Sequence, residues 1–364
     1  MIKIYYDNIM FSLQRSGGIS VVWFELLNRM IEDKSFDIMF AEFNDANNNI
    51  FRKNMNILKD KIVKRYKSKH LFWKRYFDIR LPKNPQPFIF HSSYYRLCKN
   101  KEAINITTVH DFTLEYYGRF IEKRLHCWQK YKAIRNSDYI ICISQNTKQD
   151  LLKFLPQIDE SKIGVVYHGV SQEYFIIDKS QKHNLPFEAE SYVIYVGARY
   201  HYKNFDFTVE AVAKSDKNFV IVGYELSKKE INFLNDKLGK ERYKYLGRVD
   251  NKYLNVLYNN AYCLMYLSSY EGFGIPILEA QKSGCPVIAV EGSSVLEIIG
   301  DKTLLIKRLE IEAVLEKLKI LSNSEIRANI ISLGLENSSK FQWEKMYNQI
   351  KNIYLNLNRA HQKR

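Results

Sequence analysis

Glu271 and Glu279 flank the turn sequence Gly272-Phe273-Gly274-Ile275-Pro276. Proline is typical of a first helical position, so the turn predicts a helix whose free amide groups surround Gly274 and Ile275. A helix amino terminus of this kind stabilises a phosphate through N–H donors and the helix dipole. Carboxylates repel phosphate but accept hydrogen bonds from hydroxyl groups. The spacing therefore predicts a diphosphate site flanked by sugar hydroxyls. The alternative is one surface glutamate and one helix-capping glutamate.

Two cations, Arg199 and Lys203, follow the apolar run Tyr192–Gly197, which predicts a strand. A guanidinium fork and an ammonium point charge at this spacing can both neutralise a diphosphate. The alternative is a pair of surface charges in a basic protein. Near the amino terminus, Gly17 and Gly18 follow the first predicted strand, where a backbone without side chains lets a diphosphate approach closely.

His110 and Asp111 follow the predicted strand Ile104–Val109. An imidazole at the end of a strand can hydrogen-bond a sugar hydroxyl, although a lone histidine is often structural. Asp111 could orient that ring or contact an acceptor. The segment His91–Arg96 also follows a predicted strand, and it either lines the acceptor side or begins a serine-capped helix.

These residues require parallel sheets to position them, because short apolar runs alternate with amphipathic helical patterns along the whole chain. We expect two doubly wound Rossmann-like α/β domains facing a central cleft, with ligands at the carboxyl ends of the strands. The predicted boundaries are a first domain at 1–172, a linker at 173–190, a second domain at 191–342, and a terminal helix at 343–364. The predicted strands are Ile2–Tyr6, Phe36–Phe43, Phe88–His91, Ile104–Val109, Tyr139–Ile143, Gly164–Tyr167, Tyr192–Gly197, Phe219–Gly223, Tyr243–Gly247, Ala261–Leu267 and Pro286–Ala289.

The sequence EGFGIPILEAQKSGCPVIA around the two glutamates resembles the signature of retaining glycosyltransferases of family 4, also called glycosyltransferase group 1, which have the GT-B fold. The runs Gly197–Phe205 and His91–Arg96 are similar to those of bacterial surface-polysaccharide mannosyltransferases. One departure from the family pattern is His168-Gly169-Val170, where an asparagine usually comes first. Further matching segments occur in the family's order, namely Ser16–Ser20, Val109–Asp111, Ile143-Ser144, Ile221–Gly223, Leu246–Val249 and Phe341–Glu344.

The resemblance implies transfer of a sugar from a nucleotide donor to an acceptor hydroxyl, with retention and without a protein nucleophile. Its implied donor is GDP-mannose, with a UDP-hexose as the alternative, and no cofactor or metal is expected because the sequence lacks a D-x-D motif. The implied acceptor is a polyprenyl-diphosphate-linked glycan of O-antigen synthesis. The resemblance also implies that 1–172 is the acceptor-binding domain, that 191–342 is the nucleotide-sugar-binding domain, and that the helix at 343–364 returns to the first domain. The implied catalytic residues are His110, Glu271, Arg199 and Lys203. The implied nucleotide contacts are Gly17, Gly18, Gly223, Arg248, Val249, Gly272, Phe273, Gly274, Ile275 and Glu279.

Positive charge is concentrated in residues 52–83, which carry twelve Lys and Arg against Asp60 and Asp78, in a chain of net charge +15. Basic residues interleaved with Phe, Trp and Tyr suit an anionic membrane surface. The alternatives are a solvated helix face or a nucleic-acid contact, and no zinc-finger or RNP-like motif favours the latter. We expect a cytoplasmic protein, peripheral at the inner face of the plasma membrane, that does not bind nucleic acid.

Composition excludes several other classes. The chain has 364 residues of which 46% are hydrophobic, so it is not disordered. Its five scattered cysteines form no C-x-x-C pair, and no P-loop or complete dinucleotide motif occurs. Two alternatives remain: another GT-B enzyme, such as an epimerase or a phosphorylase, and a non-catalytic protein that binds membranes or nucleic acid.

Overall fold

The structure is a computed structural model that describes residues 1–178 and 183–362, and the chain forms two compact units. The first unit comprises Met1–Gly169 and Trp343–Arg364, and the second comprises Val170–Gln342. The described residues of the segment 173–190, predicted as a linker, lie within the second unit, and 179–182 lie outside the described residues. Residues 363 and 364 of the predicted terminal helix also lie outside them.

The first unit is built on a parallel sheet of seven strands in the order β3-β2-β1-β4-β5-β6-β7. The chain runs outward from β1 on one side and then restarts at β4 on the other, so the topological switch lies between these two strands. The strands are β1 (Ile2–Asp7), β2 (Phe36–Phe43), β3 (Ile62–Tyr66), β4 (Phe88–Ser92), β5 (Ala103–Val109), β6 (Tyr139–Cys142) and β7 (Ile163–Val165).

The second unit repeats this plan with six parallel strands in the order β10-β9-β8-β11-β12-β13. Its central strands are apolar along their whole length because helices cover both faces of a parallel sheet. The strands are β8 (Tyr192–Val196), β9 (Asn218–Val222), β10 (Tyr243–Tyr245), β11 (Cys263–Tyr266), β12 (Val287–Val290) and β13 (Leu305–Ile306).

Helices connect the strands of both units. In chain order they are α1 (Met10–Leu13), α2 (Gly18–Glu32), α3 (Ile50–Lys53), α4 (Leu71–Lys74), α5 (Thr113–Tyr117), α6 (Phe120–Arg135), α7 (Gln145–Phe154), α8 (Phe205–Ala213), α9 (Lys228–Leu238), α10 (Asn251–Asn260), α11 (Ile275–Lys282), α12 (Val295–Ile298), α13 (Ile311–Ile320), α14 (Ser324–Ser339) and α15 (Trp343–Gln362).

The prediction of two doubly wound α/β domains is confirmed, but the sequence interpretation missed β3 and β13. β3 lies at the edge of its sheet and carries Lys64 and Arg65, both exposed. Charged side chains on an edge strand prevent pairing with other chains. Because they interrupt the apolar pattern by which a strand is recognised, the sequence of β3 does not read as a strand. β13 has only two residues, too few for a pattern.

The terminal helix α15 is anchored in the first unit through buried polar contacts. The hydroxyl of Tyr354 lies 2.6 Å from Nδ1 of His91 in β4 and 3.4 Å from the hydroxyl of Tyr6 in β1. Nearer its start, Lys351 forms a 2.7 Å ion pair with Asp33, which also accepts a hydrogen bond from Tyr347. The helix α15 therefore packs against the first sheet and belongs to the first unit.

Candidate active site

The turn after β11 has the geometry that its sequence predicts. Gly274 adopts φ +117° and is followed by α11, with Pro276 in its first turn. This φ lies in the region that favours glycine, and a Cβ there would meet the Ile277 side chain at 3.3 Å. The turn thus leads into the amino terminus of α11 at the carboxyl edge of the sheet, where ligands bind in this class of fold.

Two serines that the sequence interpretation missed support this turn. The Ser294 hydroxyl donates to the carbonyls of Glu271 and Phe273 at 2.8 and 2.7 Å. The hydroxyl of Ser293 accepts the backbone N–H of Glu271 at 3.0 Å. Their only sequence signal is Gly292-Ser293-Ser294 directly after β12. Because the hydrogen bonds fix the backbone of residues 271–273, they hold the Glu271 side chain in place.

Lys203 and Glu271 are brought into direct contact, with 2.5 Å between Nζ and Oε1. The contact depends on Asn204, whose side-chain amide donates to the carbonyl of Leu267 at 2.7 Å and to the Ser269 hydroxyl at 2.8 Å. These bonds hold the turn after β8 against the end of β11. A cation and a carboxylate from two distant segments therefore meet beside the predicted phosphate-binding turn.

Arg199 has a different partner from Lys203. Its Nε lies 2.6 Å from Oε1 of Glu230, and its Nη2 donates to the carbonyl of Glu225 at 2.6 Å. Among the described residues, none accepts a hydrogen bond from the buried Nη1 of Arg199. The expected convergence of Arg199 and Lys203 on one ligand is thus not seen in their present contacts, although one guanidinium nitrogen is left for a ligand.

Glu230 is a site residue that the sequence interpretation missed. It caps α9, because its Oε2 accepts the backbone N–H of Ser227 at 2.7 Å while the Ser227 hydroxyl accepts the N–H of Glu230. Burial alone would raise the pKa of Glu230, but the Arg199 and Ser227 donors outweigh it and lower that pKa. The signal in the sequence is the capping box Ser-x-x-Glu, which indicates a helix start but not a bond to Arg199.

Glu279 lies on α11 and contacts two tyrosines. Its carboxylate accepts hydrogen bonds from Tyr174 and from Tyr258, the latter at 3.4 Å. Burial raises the pKa of Glu279 to about 7, and the two hydroxyls counteract only part of this effect. The pKa of Glu279 is therefore raised into the neutral range, and its carboxyl group can both donate and accept hydrogen bonds there.

Three glycines form a ledge without side chains at the ends of β8, β9 and β10. The N–H of Gly223 donates to the carbonyl of Gly247 at 2.9 Å, and a Cβ on Gly223 would lie 2.2 Å from the carbonyl oxygen of Gly197. Beside the ledge, the Arg248 guanidinium lies over the half-exposed Tyr224 ring at 4.2 Å. Val249 follows Arg248 and is partly buried. Gly223, Arg248 and Val249, which are predicted to contact the nucleotide, therefore lie at the same edge of the sheet, next to backbone without side chains.

In the first unit, His110 follows β5 and is kept neutral by burial, which lowers its pKa to about 4. Its ring lies 6.2 Å from that of His168. Both histidines line a cavity of about 20 Å³ together with His91, which donates or accepts at Thr108 over 2.8 Å. A neutral imidazole can accept or donate a hydrogen bond at a sugar hydroxyl.

The loop after His110 is fixed by a buried ion pair. Lys130 is fully buried and lies 2.7 Å from Oε1 of Glu115, and it donates to the carbonyl of Asp111 at 2.8 Å. The Asp111 carboxylate accepts a hydrogen bond from the backbone N–H of Thr113, so it faces the start of α5, the helix that follows it. Burial would raise the pKa of Asp111, but the charge of Lys130 and the Thr113 donor lower it.

Gly17 and Gly18 begin α2 in the first unit, whereas the other predicted nucleotide contacts belong to the second. Gly18 is open, with no atom within 4 Å of a Cβ built there.

The segment after β4 does not begin a helix; instead the Ser92 hydroxyl donates to the Asp7 carboxylate at 2.8 Å, and Arg96 lies 3.4 Å from the same oxygen. The serine-capped helix considered for His91–Arg96 is therefore wrong.

The described part of the chain lacks two features. Within residues 1–178 and 183–362, no group of three or more His, Cys, Asp or Glu is arranged to hold a metal ion. No helix in the same ranges is both long and apolar enough to cross a membrane.

Comparison with known families gives two adjoining matches. Residues 16–174 match Glycosyltransferase Family 4, and residues 176–336 match Glycosyl transferases group 1. Among curated proteins, a glycosyltransferase of Methanocaldococcus jannaschii is 30% identical over 263 residues, 71% of this chain and 70% of the relative. The O-antigen chain mannosyltransferase B of Escherichia coli is 25% identical over 290 residues, 73% of this chain and 74% of the relative.

Among solved structures, the Anabaena protein Alr3699/HepE in complex with UDP and glucose aligns with a TM-score of 0.70. The alignment covers 97% of this chain and 99% of that protein at 16% identity, which supports a common fold.

Proposed function

Because this chain belongs to glycosyltransferase family 4 and has the GT-B fold, we propose that it transfers mannose from GDP-mannose to a hydroxyl of a lipid-linked glycan in O-antigen synthesis, with retention. The observation that carries the proposal is the 2.5 Å contact of Lys203 and Glu271 beside the Gly274 turn. This contact places a cation that can neutralise a departing diphosphate next to a carboxylate that can accept a hydrogen bond from a sugar hydroxyl.

In this proposal the chain's own groups perform the chemistry by positioning and charge stabilisation. Lys203 and the free nitrogen of Arg199 neutralise the diphosphate as it leaves, and the amides after Gly274 donate to its oxygens. Glu271 accepts from the donor sugar, and Glu279 accepts from the ribose. His110, neutral at working pH, hydrogen-bonds the transferred sugar. Since two side-chain cations and a helix terminus supply the positive charge, we propose that no metal is required.

Mannose as the sugar is supported by the relative named as an O-antigen chain mannosyltransferase. Beside the glycine ledge, the half-exposed Tyr224 ring and the Arg248 guanidinium offer planar groups on which a purine base can stack. The competing donor is a UDP-hexose, since the Anabaena structure of the same fold was obtained with UDP and glucose. The two donors differ in base and sugar but require the same diphosphate chemistry.

We propose that residues 52–83 hold the enzyme at the anionic inner face of the plasma membrane, where a polyprenyl-diphosphate-linked acceptor resides. Phe72, Trp73 and Phe77 are 58, 60 and 67% exposed. Arg75 fixes this segment, because its guanidinium donates to the Tyr94 hydroxyl at 2.7 Å. Aromatic rings beside lysines and arginines suit the boundary between headgroups and acyl chains.

The nucleotide is tested by thermal unfolding with GDP, UDP, ADP and dTDP, each with and without magnesium. A nucleotide at roughly 100 times its Kd adds about 2.7 kcal/mol of apparent stability. Stabilisation by GDP alone, independent of magnesium, is expected, followed by transfer from GDP-mannose that Glu271→Ala reduces sharply. Stabilisation by UDP alone would indicate that the donor is a UDP-hexose and not GDP-mannose. No stabilisation by any nucleotide would contradict the proposal.

The membrane contact is tested by sedimentation with vesicles of phosphatidylcholine, with or without phosphatidylserine. The unmodified protein should sediment with the anionic vesicles, and Trp73→Ser should reduce the bound fraction. Ile326→Ser, which removes a 40% exposed apolar side chain from α14, is the matched control and should leave binding unchanged. Equal binding by all three proteins would contradict the assignment of this surface.

A further inference from the structure

A row of hydrogen-bonded side chains in the first unit leads to the histidine cavity, the cavity of about 20 Å³ beside His110. The Tyr6 hydroxyl donates to the Tyr354 hydroxyl at 3.4 Å, and the Tyr354 hydroxyl lies 2.6 Å from Nδ1 of His91. Nε2 of His91 lies 2.8 Å from the hydroxyl of Thr108, which lines the cavity. Since Tyr6, Tyr354 and His91 are at most 1% exposed, water does not compete for these bonds.

The direction of these hydrogen bonds follows from the number of hydrogens on each group. A tyrosine hydroxyl carries one hydrogen, so Tyr354, which accepts from Tyr6, donates its own to Nδ1 of His91. Burial lowers the pKa of His91 to about 3, so its ring is neutral and carries one hydrogen. Because Nδ1 accepts, that hydrogen lies on Nε2 and is donated to the Thr108 hydroxyl. Thr108 therefore directs its own hydrogen into the cavity.

The histidine cavity has the size and the polar groups that one water molecule requires. A single water needs roughly 10–15 Å³ and two to four polar partners. Thr108, His110 and His168 line the cavity, and most of the remaining lining is aliphatic, which disfavours an ion. The ring centroids of His110 and His168 are 6.2 Å apart, too far for a direct hydrogen bond between nitrogens but a separation that one water bridges.

We propose that one ordered water in the histidine cavity accepts from Thr108 and donates to His110 and His168, and that it thereby fixes the tautomer of His110. A ring nitrogen that accepts inside the cavity leaves the single hydrogen of neutral His110 on the other nitrogen. His110 consequently donates a hydrogen bond to an oxygen of the transferred sugar. Thr108 and His91 are positioning residues, because they act on the sugar only through His110. The inference rests on the proposed function and specifies the form of His110 that this function uses.

The test compares Thr108→Val with Thr107→Val by NMR of the imidazole nitrogens in the full chain at pH 7. Valine keeps the shape of threonine but lacks the hydroxyl. Thr107 is the matched control, since its buried hydroxyl pairs with Ser137 at 2.7 Å and it does not line the cavity. The His110 signals, identified by their loss in His110→Gln, should report one neutral tautomer in the unmodified protein and in Thr107→Val. In Thr108→Val they should report a mixture of both tautomers.

Transfer from GDP-mannose gives a second measurement. Thr108→Val should lower kcat about tenfold, the effect of one lost oriented hydrogen bond, while the affinity for GDP, which lacks the sugar, stays the same. Thr108→Ser keeps the hydroxyl and should behave like the unmodified protein, as should Thr107→Val. If Thr108 were only structural, Thr108→Val would lower the melting temperature alone. An unchanged His110 tautomer or an unchanged kcat in this variant overturns the inference.

One measurement needs no variant of Thr108 and decides the matter if Thr108→Val does not fold. In the unmodified protein, His91 should carry its hydrogen on Nε2, and its signals are identified by their shift in Tyr354→Phe. A hydrogen on Nδ1 of His91, or a mixture of His110 tautomers, would overturn the inference. If the unmodified protein transfers no sugar from GDP-mannose, the proposed function fails, whereas the NMR result still decides whether Thr108 sets the His110 tautomer.

Discussion

The predicted site residues of the two units differ in charge: the second unit holds cations in ion pairs, whereas the first unit holds a neutral histidine. In the second unit, Lys203 and Arg199 are each paired with a carboxylate of the chain, Glu271 and Glu230, and the turn beside them is open backbone. In the first unit, His110 is partly buried, and loss of contact with water lowers its pKa to about 4. The next residue, Asp111, accepts a backbone hydrogen bond from Lys130, which forms a fully buried ion pair with Glu115. The second unit thus holds its two cations in ion pairs, whereas the first unit holds a neutral imidazole.

This difference follows from what each region must do in the proposed reaction. A departing diphosphate gains negative charge, so fixed cations near it stabilise the transition state more than the ground state. A transferred sugar is neutral, and a neutral hydrogen-bonding group serves it without the cost of a buried charge. The comparison predicts that removing the fixed cation Lys203 will have the largest effect in the second unit and that ionisation of His110 will matter little in the first.

The largest effect is expected for Lys203→Ala. Removing a fixed cation from the departing diphosphate should lower kcat by about 10²–10³-fold, as measured with GDP-mannose under saturating donor. The matched control is Lys237→Ala, which removes an exposed lysine of α9 and should leave kcat unchanged. If the Lys203–Glu271 contact were only structural, Lys203→Ala would lower the melting temperature but keep kcat, and this outcome would contradict the assignment.

The next effect is expected for His110→Gln. Losing a positioned imidazole should lower kcat by roughly 10²-fold, and the size of the loss tests whether this residue contacts the sugar. Because burial lowers the pKa of His110 to about 4, the ring is already neutral above pH 5. The kcat of the unmodified enzyme should therefore show no His110 ionisation between pH 6 and 8. A step near pH 6.5 that disappears in His110→Gln would show that the ring works in its charged form.

The two regions also differ in how far the sequence predicts them. The Gly274 turn, Lys203 and the glutamates lie in short continuous motifs whose local geometry is set by glycine and proline. Glu230 reaches the site from the first turn of α9, and Ser293 and Ser294 reach it from the loop after β12. Nothing in their local sequence specifies the residue that each will contact. For the same reason the buried Lys130–Glu115 pair was missed: a lysine on a helix is ordinarily exposed, and only the packing of α6 against α5 and the loop after β5 encloses it.

A smaller effect is expected from pH on nucleotide affinity through Glu279. Its pKa is raised to about 7 in the free protein, so the carboxyl group is mostly protonated at pH 6 and mostly ionised at pH 8. If the ribose hydroxyls donate to the ionised form, the affinity for GDP should rise about tenfold from pH 6 to pH 8.

Calorimetric titration of Glu279→Gln supplies the control for this pH effect. The nucleotide's own phosphate also ionises near pH 6, and the variant retains that contribution alone. The difference between the two profiles therefore isolates Glu279. Identical profiles for the two proteins would mean that Glu279 does not change its ionisation on binding.

The smallest effect is expected for Glu230→Gln, which decides whether Glu230 orients Arg199 or competes for it. The amide can still accept a hydrogen bond but lacks the charge that holds Nε of Arg199 at 2.6 Å. If Glu230 orients the guanidinium so that Nη1 faces the ligand, kcat/KM for the donor should fall about fivefold, the value of one weakened charge-assisted bond. Ser227→Ala removes the helix cap but leaves the Arg199–Glu230 pair, so it should lower stability by about 1 kcal/mol without changing kcat/KM. An increase of kcat/KM in Glu230→Gln would instead show that the glutamate withholds Arg199 from the diphosphate, because only a competitor's removal strengthens donor binding.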